Sequence, residues 1–169
     1  MKSSVFVAVF ALASLAVAAS VQAAPPPADP AVQAQFLADN VEQPGVIVLP
    51  GLQYRVLKSG PADGSHPTRG GEITVRYEGR FIDGKVFNTS PDQGAGSTIF
   101  PLQKLIPGWI AGLQLMRPGD VWVLYVPAYL AYGAAGKDYI PPGATLIFKI
   151  ELLSVSTPSA PSEAAKPKA

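Results

Sequence analysis

The sequence predicts an α+β domain: a curled antiparallel β-sheet of five to six strands wrapped around one short α-helix, with a further short helix on its N-terminal side. Three features point there. From Val46 onward, apolar and polar residues alternate at strand period in stretches separated by Gly-, Pro- and Asp-rich segments. Within that region only Lys104–Leu115 carries helical spacing. The two longest β-rich runs, Val121–Pro127 and Thr145–Leu153, read as central strands.

The first residues read as a targeting segment. Lys2 gives a positive start, Val5–Ala19 is a nearly unbroken apolar stretch, and Val21-Gln22-Ala23 fits the small-residue cleavage rule. Residues 1–23 are therefore expected to be a signal peptide cut after Ala23, since a cut after Ala24 places Pro25 directly past the scissile bond. A retained membrane helix needs about 20 apolar residues, and Ser20 and Gln22 interrupt this run early. No Cys follows the cleavage site to carry a lipid. The expected location is periplasmic or secreted.

Residues 24–45 hold a Pro-rich linker and a short helix. Ala24–Asp29 (APPPAD) should be extended and mobile. Asp29 suits an N-cap and Pro30 the first helical position. Val32, Phe36 and Leu37 fall on one face, and the helix should end around Asn40–Pro44. Some three turns are marginal alone, so this helix either docks on the domain or pairs with another chain.

The domain proper is expected over 46–155, about 110 residues, enough for one core without disulfides or metals. Val46–Leu49 is a short apolar run, and Leu52, Tyr54 and Val56 alternate with Gln53 and Arg55. Ser59–Gly70 reads as a loop. Ile73, Val75 and Tyr77 point one way and Thr74, Arg76 and Glu78 the other, a half-buried antiparallel strand. Asp83-Gly84 signals a hairpin before Lys85–Asn88, and Thr98–Leu102 is a further extended piece. In Lys104–Leu115, Leu105, Trp109 and Leu113 share one face, and Pro107 is tolerable only in the first turn. Arg117–Asp120 is a turn, and Ala128–Gly143 a loop holding Tyr129, Tyr132 and several Gly and Pro. Residues 156–169 are Ser/Thr/Pro/Ala/Lys-rich and expected to be disordered.

Composition excludes much chemistry. The 169 residues hold 13 Lys+Arg, 12 Asp+Glu, one His and no Cys. Losing Lys2 with the leader takes the formal charge from +1 to zero. No Lys/Arg cluster marks a nucleic-acid binder, and partners should be chosen by apolar and prolyl segments more than by charge. No thiolate nucleophile or Cys-ligated metal is available, and one His cannot build a multi-His site. His66 sits in Gly64-Ser65-His66-Pro67, a loop with no evident orienting partner. Gly70-Gly71 and Gly94-Ala95-Gly96 open no helix of the kind that cradles phosphate. Glu78, Asp83 and Asp120 are scattered at strand edges and turns, where solvation or turn capping is the plain reading. Neither a metal nor a cofactor is expected.

Aromatics near loops remain. Tyr77, Phe87, Trp109, Tyr132 and Phe148 lie on five different predicted elements. Trp109 and Phe148 taken singly are ordinary core positions. Tyr77 and Tyr132 are less so, because a buried phenol wants a hydrogen-bond partner. An aromatic cavity with a few polar tips is the usual form of a small apolar binding site.

The order of motifs carries a resemblance. Val75-Arg76-Tyr77-Glu78-Gly79, Asp83-Gly84-Lys85-Val86-Phe87-Asn88 and Ile106-Pro107-Gly108-Trp109 are followed by Leu130-Ala131-Tyr132-Gly133 and Ile140-Pro141-Pro142-Gly143-Ala144-Thr145-Leu146-Ile147-Phe148. Over roughly 46–155 the chain resembles the FKBP-type peptidyl-prolyl isomerases. Phe36–Asn40, Pro44-Gly45-Val46 and Gly51–Tyr54 are similar to the bacterial macrophage infectivity potentiator branch. Members of that branch often carry a long dimerisation helix, of which this chain has room only for the last few turns, so a monomer is expected.

The resemblance implies a proline pocket between helix and sheet, with Trp109 as floor and Tyr77, Phe87 and Phe148 as aromatic walls. Leu105 and Ile106 would flank it, Tyr132 would offer its hydroxyl to a substrate carbonyl, and Ile140 would contact the ligand from the loop. It implies isomerisation of X-Pro bonds in exported proteins and binding of the family's macrolide inhibitors. Sparse His and absent Cys fit such chemistry, because turning a prolyl bond breaks no covalent bond. Two departures stand out. The family commonly has an acidic residue where this chain has Asn88, and often an aromatic near Thr98, so one wall is expected to be thinner. The alternatives are a non-catalytic chaperone or peptide- or macrolide-binding module of the same fold, and a small-ligand carrier with a closed cavity.

Overall fold

The computed structural model describes residues 25–91 and 95–156. The leader expected over 1–23 lies outside them, as does all but the first residue of the tail expected over 156–169. Seven strands form one sheet: β1 (Val46–Leu49), β2 (Leu52–Lys58), β3 (Glu72–Phe81), β4 (Val86–Thr89), β5 (Thr98–Pro101), β6 (Val121–Val126) and β7 (Leu146–Ser156). Their order is β1-β2-β6-β7-β3-β4, with β5 also on β3, and every pairing is antiparallel.

The strand count exceeds the five to six expected because three four-residue strands each find a longer partner. β1 pairs along β2, while β4 and β5 share one edge of β3, at Glu78–Arg80 and Glu72–Val75 respectively. The ten residues of β3 are long enough to satisfy both.

Alternation decides which face is buried. Leu146, Phe148, Ile150 and Leu152 of β7 and Ile73 and Val75 of β3 point to the concave side and are all buried. Leu52, Leu113, Met116 and Leu124 complete that core. Each fully buried Leu or Ile contributes about 1.5–3 kcal/mol.

Helix α2 (Pro107–Leu113) lies in the concavity. It is shorter than the predicted Lys104–Leu115 because Ile106 precedes Pro107. Ring crowding drives that residue out of the helical region, and Ile106 is extended at φ −61°, ψ 148°. Residues Leu102–Lys104 form a separate 3-10 turn. Leu105 is therefore outside the helix and half-buried, whereas Trp109 and Leu113 share the buried face as expected. Gly108 and Gly112, one helical turn apart, let α2 press onto β6. A Cβ on Gly108 would lie 2.4 Å from Val126 Cγ1, and one on Gly112 2.7 Å from Leu124 Cδ1.

Helix α1 (Pro30–Val41) begins as predicted, with Asp29 accepting hydrogen bonds from the Ala31 and Val32 amides. It docks on its own chain, on the convex face. The docked side is Gln33, Phe36, Leu37 and Asn40, not the expected Val32, which is 53% exposed. Hydrogen bonds select this face. The Thr145 amide donates to Gln33 Oε1 at 2.9 Å, Asn40 Nδ2 to Gln53 Oε1 at 2.7 Å, and Gln53 Nε2 to the Leu37 carbonyl at 2.9 Å. The Phe36 ring lies 6.3 Å from that of Tyr125. Ahead of the helix, the extended segment is anchored by the Ala28 amide on the Pro142 carbonyl at 2.9 Å. Among the described residues no helix is long and apolar enough to cross a membrane.

Candidate functional site

The rim, floor and walls of one cleft come from α2, β3, β4, β5, β7 and the Ala128–Gly143 loop, enclosing about 340 Å³. Tyr77, Phe87, Asn88, Leu105, Ile106, Trp109, Tyr132, Ile140 and Phe148, all nine predicted site residues, line it.

Trp109 occupies the floor, 4% exposed. Three rings stand nearly perpendicular to its indole: Phe148 at 5.2 Å and 90°, Tyr77 at 5.3 Å and 82°, Phe100 at 6.1 Å and 86° between centroids and planes. Edge-to-face pairs of this kind match positive ring edges to a negative face, so the packing that fixes the floor also raises the walls. Phe87 continues the wall edge-on to Phe148 at 5.7 Å. It fits because β3 carries Gly79 there: a Cβ at that position would be 2.7 Å from Phe87 Cζ.

Phe100 was not among the predicted residues. A thinner wall is expected at Thr98, but β5 alternates, so Phe100 lies on the same face two residues on. It packs against Tyr77 at 6.0 Å as well as Trp109. Period-two spacing from Thr98 places it there, but the four residues of β5 are too few for that signal to stand out in the sequence.

Lys104, Lys137, Asp138 and Tyr139 also line the cleft unpredicted. The last three belong to a tight turn closed by reciprocal Lys137 and Ile140 backbone bonds of 3.0 and 2.7 Å. Asp138 takes φ +52°, which Asp tolerates better than most side chains. As sequence, Lys137–Ile140 reads only as loop, and nothing local announces that its tip overhangs Phe87, 6.4 Å from Tyr139 ring to ring.

The polar groups are few. Tyr77 donates its hydroxyl proton to Asn88 Oδ1, and Asn88 Nδ2 reaches the Tyr139 hydroxyl at 3.4 Å. Tyr132, half-buried, carries the Lys137 ammonium 5.7 Å from its ring centroid. Burial first, then the neighbouring Tyr139 and Tyr132, raises the Tyr77 pKa above the ordinary phenol value. Burial, Tyr139 and Asp138 do the same for Tyr132. Both phenols are neutral donors at physiological pH.

The remaining candidates lie elsewhere and serve structure. His66 is exposed, with Nδ1 3.1 Å from the Met116 carbonyl and Nε2 accepting from Arg117 Nε. Asp120 is buried and caps a turn, accepting from the Gly60 and Arg117 amides. Asp83 closes the hairpin by accepting from the Lys85 amide. Among the described residues no three His, Cys, Asp or Glu side chains gather to hold a metal ion. The cleft offers an aromatic seat with neutral hydrogen-bonding tips beside it, chemistry suited to binding a small uncharged ring.

Comparison with known proteins agrees. The profile of FKBP-type peptidyl-prolyl cis-trans isomerase matches residues 63–153. The peptidyl-prolyl cis-trans isomerase Mip of Coxiella burnetii is 48% identical over 122 residues, 71% of this chain and 52% of that protein. The outer membrane protein MIP of Legionella longbeachae is 45% identical over 122 residues, 71% of this chain and 51% of the relative. The chain thus spans about half the length of these relatives. Among solved structures, FkpA from Escherichia coli aligns with TM-score 0.69 at 37% identity, covering 74% of this chain and 58% of that one. A peptidyl-prolyl cis-trans isomerase from Pseudomonas syringae aligns with TM-score 0.69 at 37% identity, covering 75% and 92%.

Proposed function

This chain belongs to the FKBP-type peptidyl-prolyl cis-trans isomerase family, and from that premise we propose that its cleft accelerates cis–trans exchange of X-Pro bonds in exported proteins. The single observation that supports this best is the indole floor of Trp109 ringed by perpendicular Tyr77, Phe100 and Phe148. A prolyl ring is compact and apolar, and the faces of such rings can seat it.

Rotation about the prolyl amide faces about 18–20 kcal/mol because resonance is lost at the twisted geometry. The planar amide is the more charge-separated form. A cleft that replaces water with aromatic faces disfavours planar relative to twisted, which is differential binding of the transition state. In this reading Trp109 seats the ring, with Tyr77, Phe87 and Phe148 as walls and Leu105 and Ile106 flanking. Tyr132 donates its neutral hydroxyl to a substrate carbonyl, Ile140 contacts the peptide from the loop, and Asn88 holds the two phenols beside it. Both protonation states of the enzyme's groups stay fixed through the turnover, since no proton moves.

Macrolide inhibitors of the family would fill the same cleft. The chain acts as a monomer in this reading, because α1 already spends Gln33, Phe36 and Asn40 on its own sheet. Export rests on the leader read in 1–23, and one relative's name, outer membrane protein MIP, is in keeping with it.

The test is exchange spectroscopy on an X-Pro peptide with Trp109→Leu and Tyr132→Phe. Tyr132→Phe deletes one hydrogen bond and should lower kcat/KM by roughly two- to tenfold; Trp109→Leu should cost more. Full rate in both variants, each folded by circular dichroism, defeats the assignment. Binding without accelerated exchange in the parent protein would instead favour a non-catalytic peptide-binding chaperone, the reading that neutral Asn88 supports.

A further inference from the structure

Two ammonium groups and one carboxylate border the cleft, Lys104, Lys137 and Asp138. Resting on the isomerase reading above, we propose that Lys104 and Lys137 give the enzyme a preference for prolines flanked by an acidic residue. The preference is local: the whole sequence carries a formal charge of only +1, so it comes from where the charges sit.

Four observations carry it. Lys104 closes the 3-10 turn directly before Leu105 and Ile106 and lines the cleft on the side those residues flank. Lys137 approaches by way of the Tyr132 face, its Nζ 5.7 Å from the ring centroid, an attraction that leaves its charge unneutralised. Neither Lys is in an ion pair among the described residues, where the pairs formed are Arg76–Glu151 and Arg80–Glu78. The polar group in the wall is an amide, Asn88, whose carbonyl oxygen and NH₂ are taken by Tyr77 and Tyr139. Among the described residues that line the cleft, Asp138 alone opposes the two cations, and it sits on the same turn as Lys137. A peptide with its prolyl ring on Trp109 therefore places its neighbouring side chains in a field of net positive sign, partly shielded from water by aromatic walls.

Both ammonium groups are exposed, so the effect is modest and salt-sensitive. Exposed pairs of this kind translate into roughly a two- to fivefold preference. The matched comparison is Glu against Gln, which have the same shape and differ in charge.

The experiment measures kcat/KM by exchange spectroscopy on peptides with Glu, Gln or Lys immediately before proline, and a second set with them immediately after. At low ionic strength, Glu should exceed Gln and Gln exceed Lys in at least one set. The Glu advantage should disappear in concentrated salt and in the Lys104→Gln, Lys137→Gln double variant, whose rate on Gln peptides is the internal reference. Equal rates for Glu and Gln in both sets overturn the proposal while leaving the isomerase reading intact. Absence of acceleration for every peptide, Gln included, would bring down both.

Discussion

The Tyr77 hydroxyl donates to the side-chain carbonyl of Asn88, which joins β3 to β4 at the mouth of the cleft. The Asn88 amide then reaches on to Tyr139. One uncharged side chain thus ties a wall of the pocket to the turn that overhangs it, as an amide can, being donor and acceptor at once.

Asn88→Ala should loosen both phenols. Because Asn88 is exposed, stability should change little, while kcat/KM falls by roughly two- to tenfold for the lost hydrogen bonds. Asn88→Asp should behave differently. A carboxylate accepts from both hydroxyls and so preserves the tie, yet its charge opposes Lys104 and Lys137 and should erase any advantage of Glu over Gln beside proline. Steady-state rates on the two peptides separate these effects. An unchanged rate in Asn88→Ala would show that the tie does not position the pocket.

Much of this site was legible because its residues lie on elements with strong periodic signals. Tyr77 falls on an alternating strand, Trp109 on the only helical stretch of the domain, and Phe148 in one of the two longest β-rich runs. The motif order then grouped them. Phe100 was missed because β5 has four residues, too few for alternation to stand out, and its identity as a wall depends on pairing with Ile73 of β3. Tyr139 was missed for another reason: its place over Phe87 follows from a positive φ at Asp138, a backbone choice that composition does not specify. Apolar periodicity alone does not specify the docked face of α1, because polar Gln33 and Asn40 lie on it. Long-range hydrogen bonds to Thr145 and Gln53 turned the helix.

Gly108→Ala should be costly although Ala is the better helix former. The added Cβ would lie 2.4 Å from Val126 Cγ1 and 3.3 Å from the Leu130 carbonyl, inside a strand-helix contact with no room to give. Overpacking of this kind costs about 1–3 kcal/mol. Because Trp109 is the next residue, the same displacement tilts the pocket floor, and activity should fall together with the denaturation midpoint. A variant as stable as the parent would mean that α2 can slide along β6 without penalty.

Asp120→Ala tests the opposite end of the domain. Its buried carboxylate accepts from the Gly60 amide at 2.6 Å and the Arg117 amide at 2.7 Å, pinning the start of the Ser59–Gly70 loop to the turn before β6. Removing it leaves both half-buried donors without that acceptor, a loss of about 1–3 kcal/mol in all. Asp120→Asn keeps one acceptor oxygen and should lie between the two. Urea melts should show this order with unchanged kcat/KM, since Asp120 does not line the cleft. A rate loss without a stability loss would place Asp120 in the site.

The pH profile follows from the phenols. Tyr77 and Tyr132 have pKa values raised above 10.0, chiefly by burial, so each binds its proton more tightly folded than unfolded. Their contribution to stability is whole below the unfolded value of 10.0 and is lost as pH climbs through the raised folded values. Over about pH 6 to 9 neither phenol titrates, and the chain's one imidazole, His66, lies outside the cleft. Exchange rates on an uncharged peptide should therefore be flat across that span and decline only in strong alkali, where the Tyr132 hydroxyl ceases to donate. A bell-shaped profile centred near neutrality would require a titrating acid or base at the reacting amide, and would overturn a mechanism built on an aromatic pocket and neutral donors.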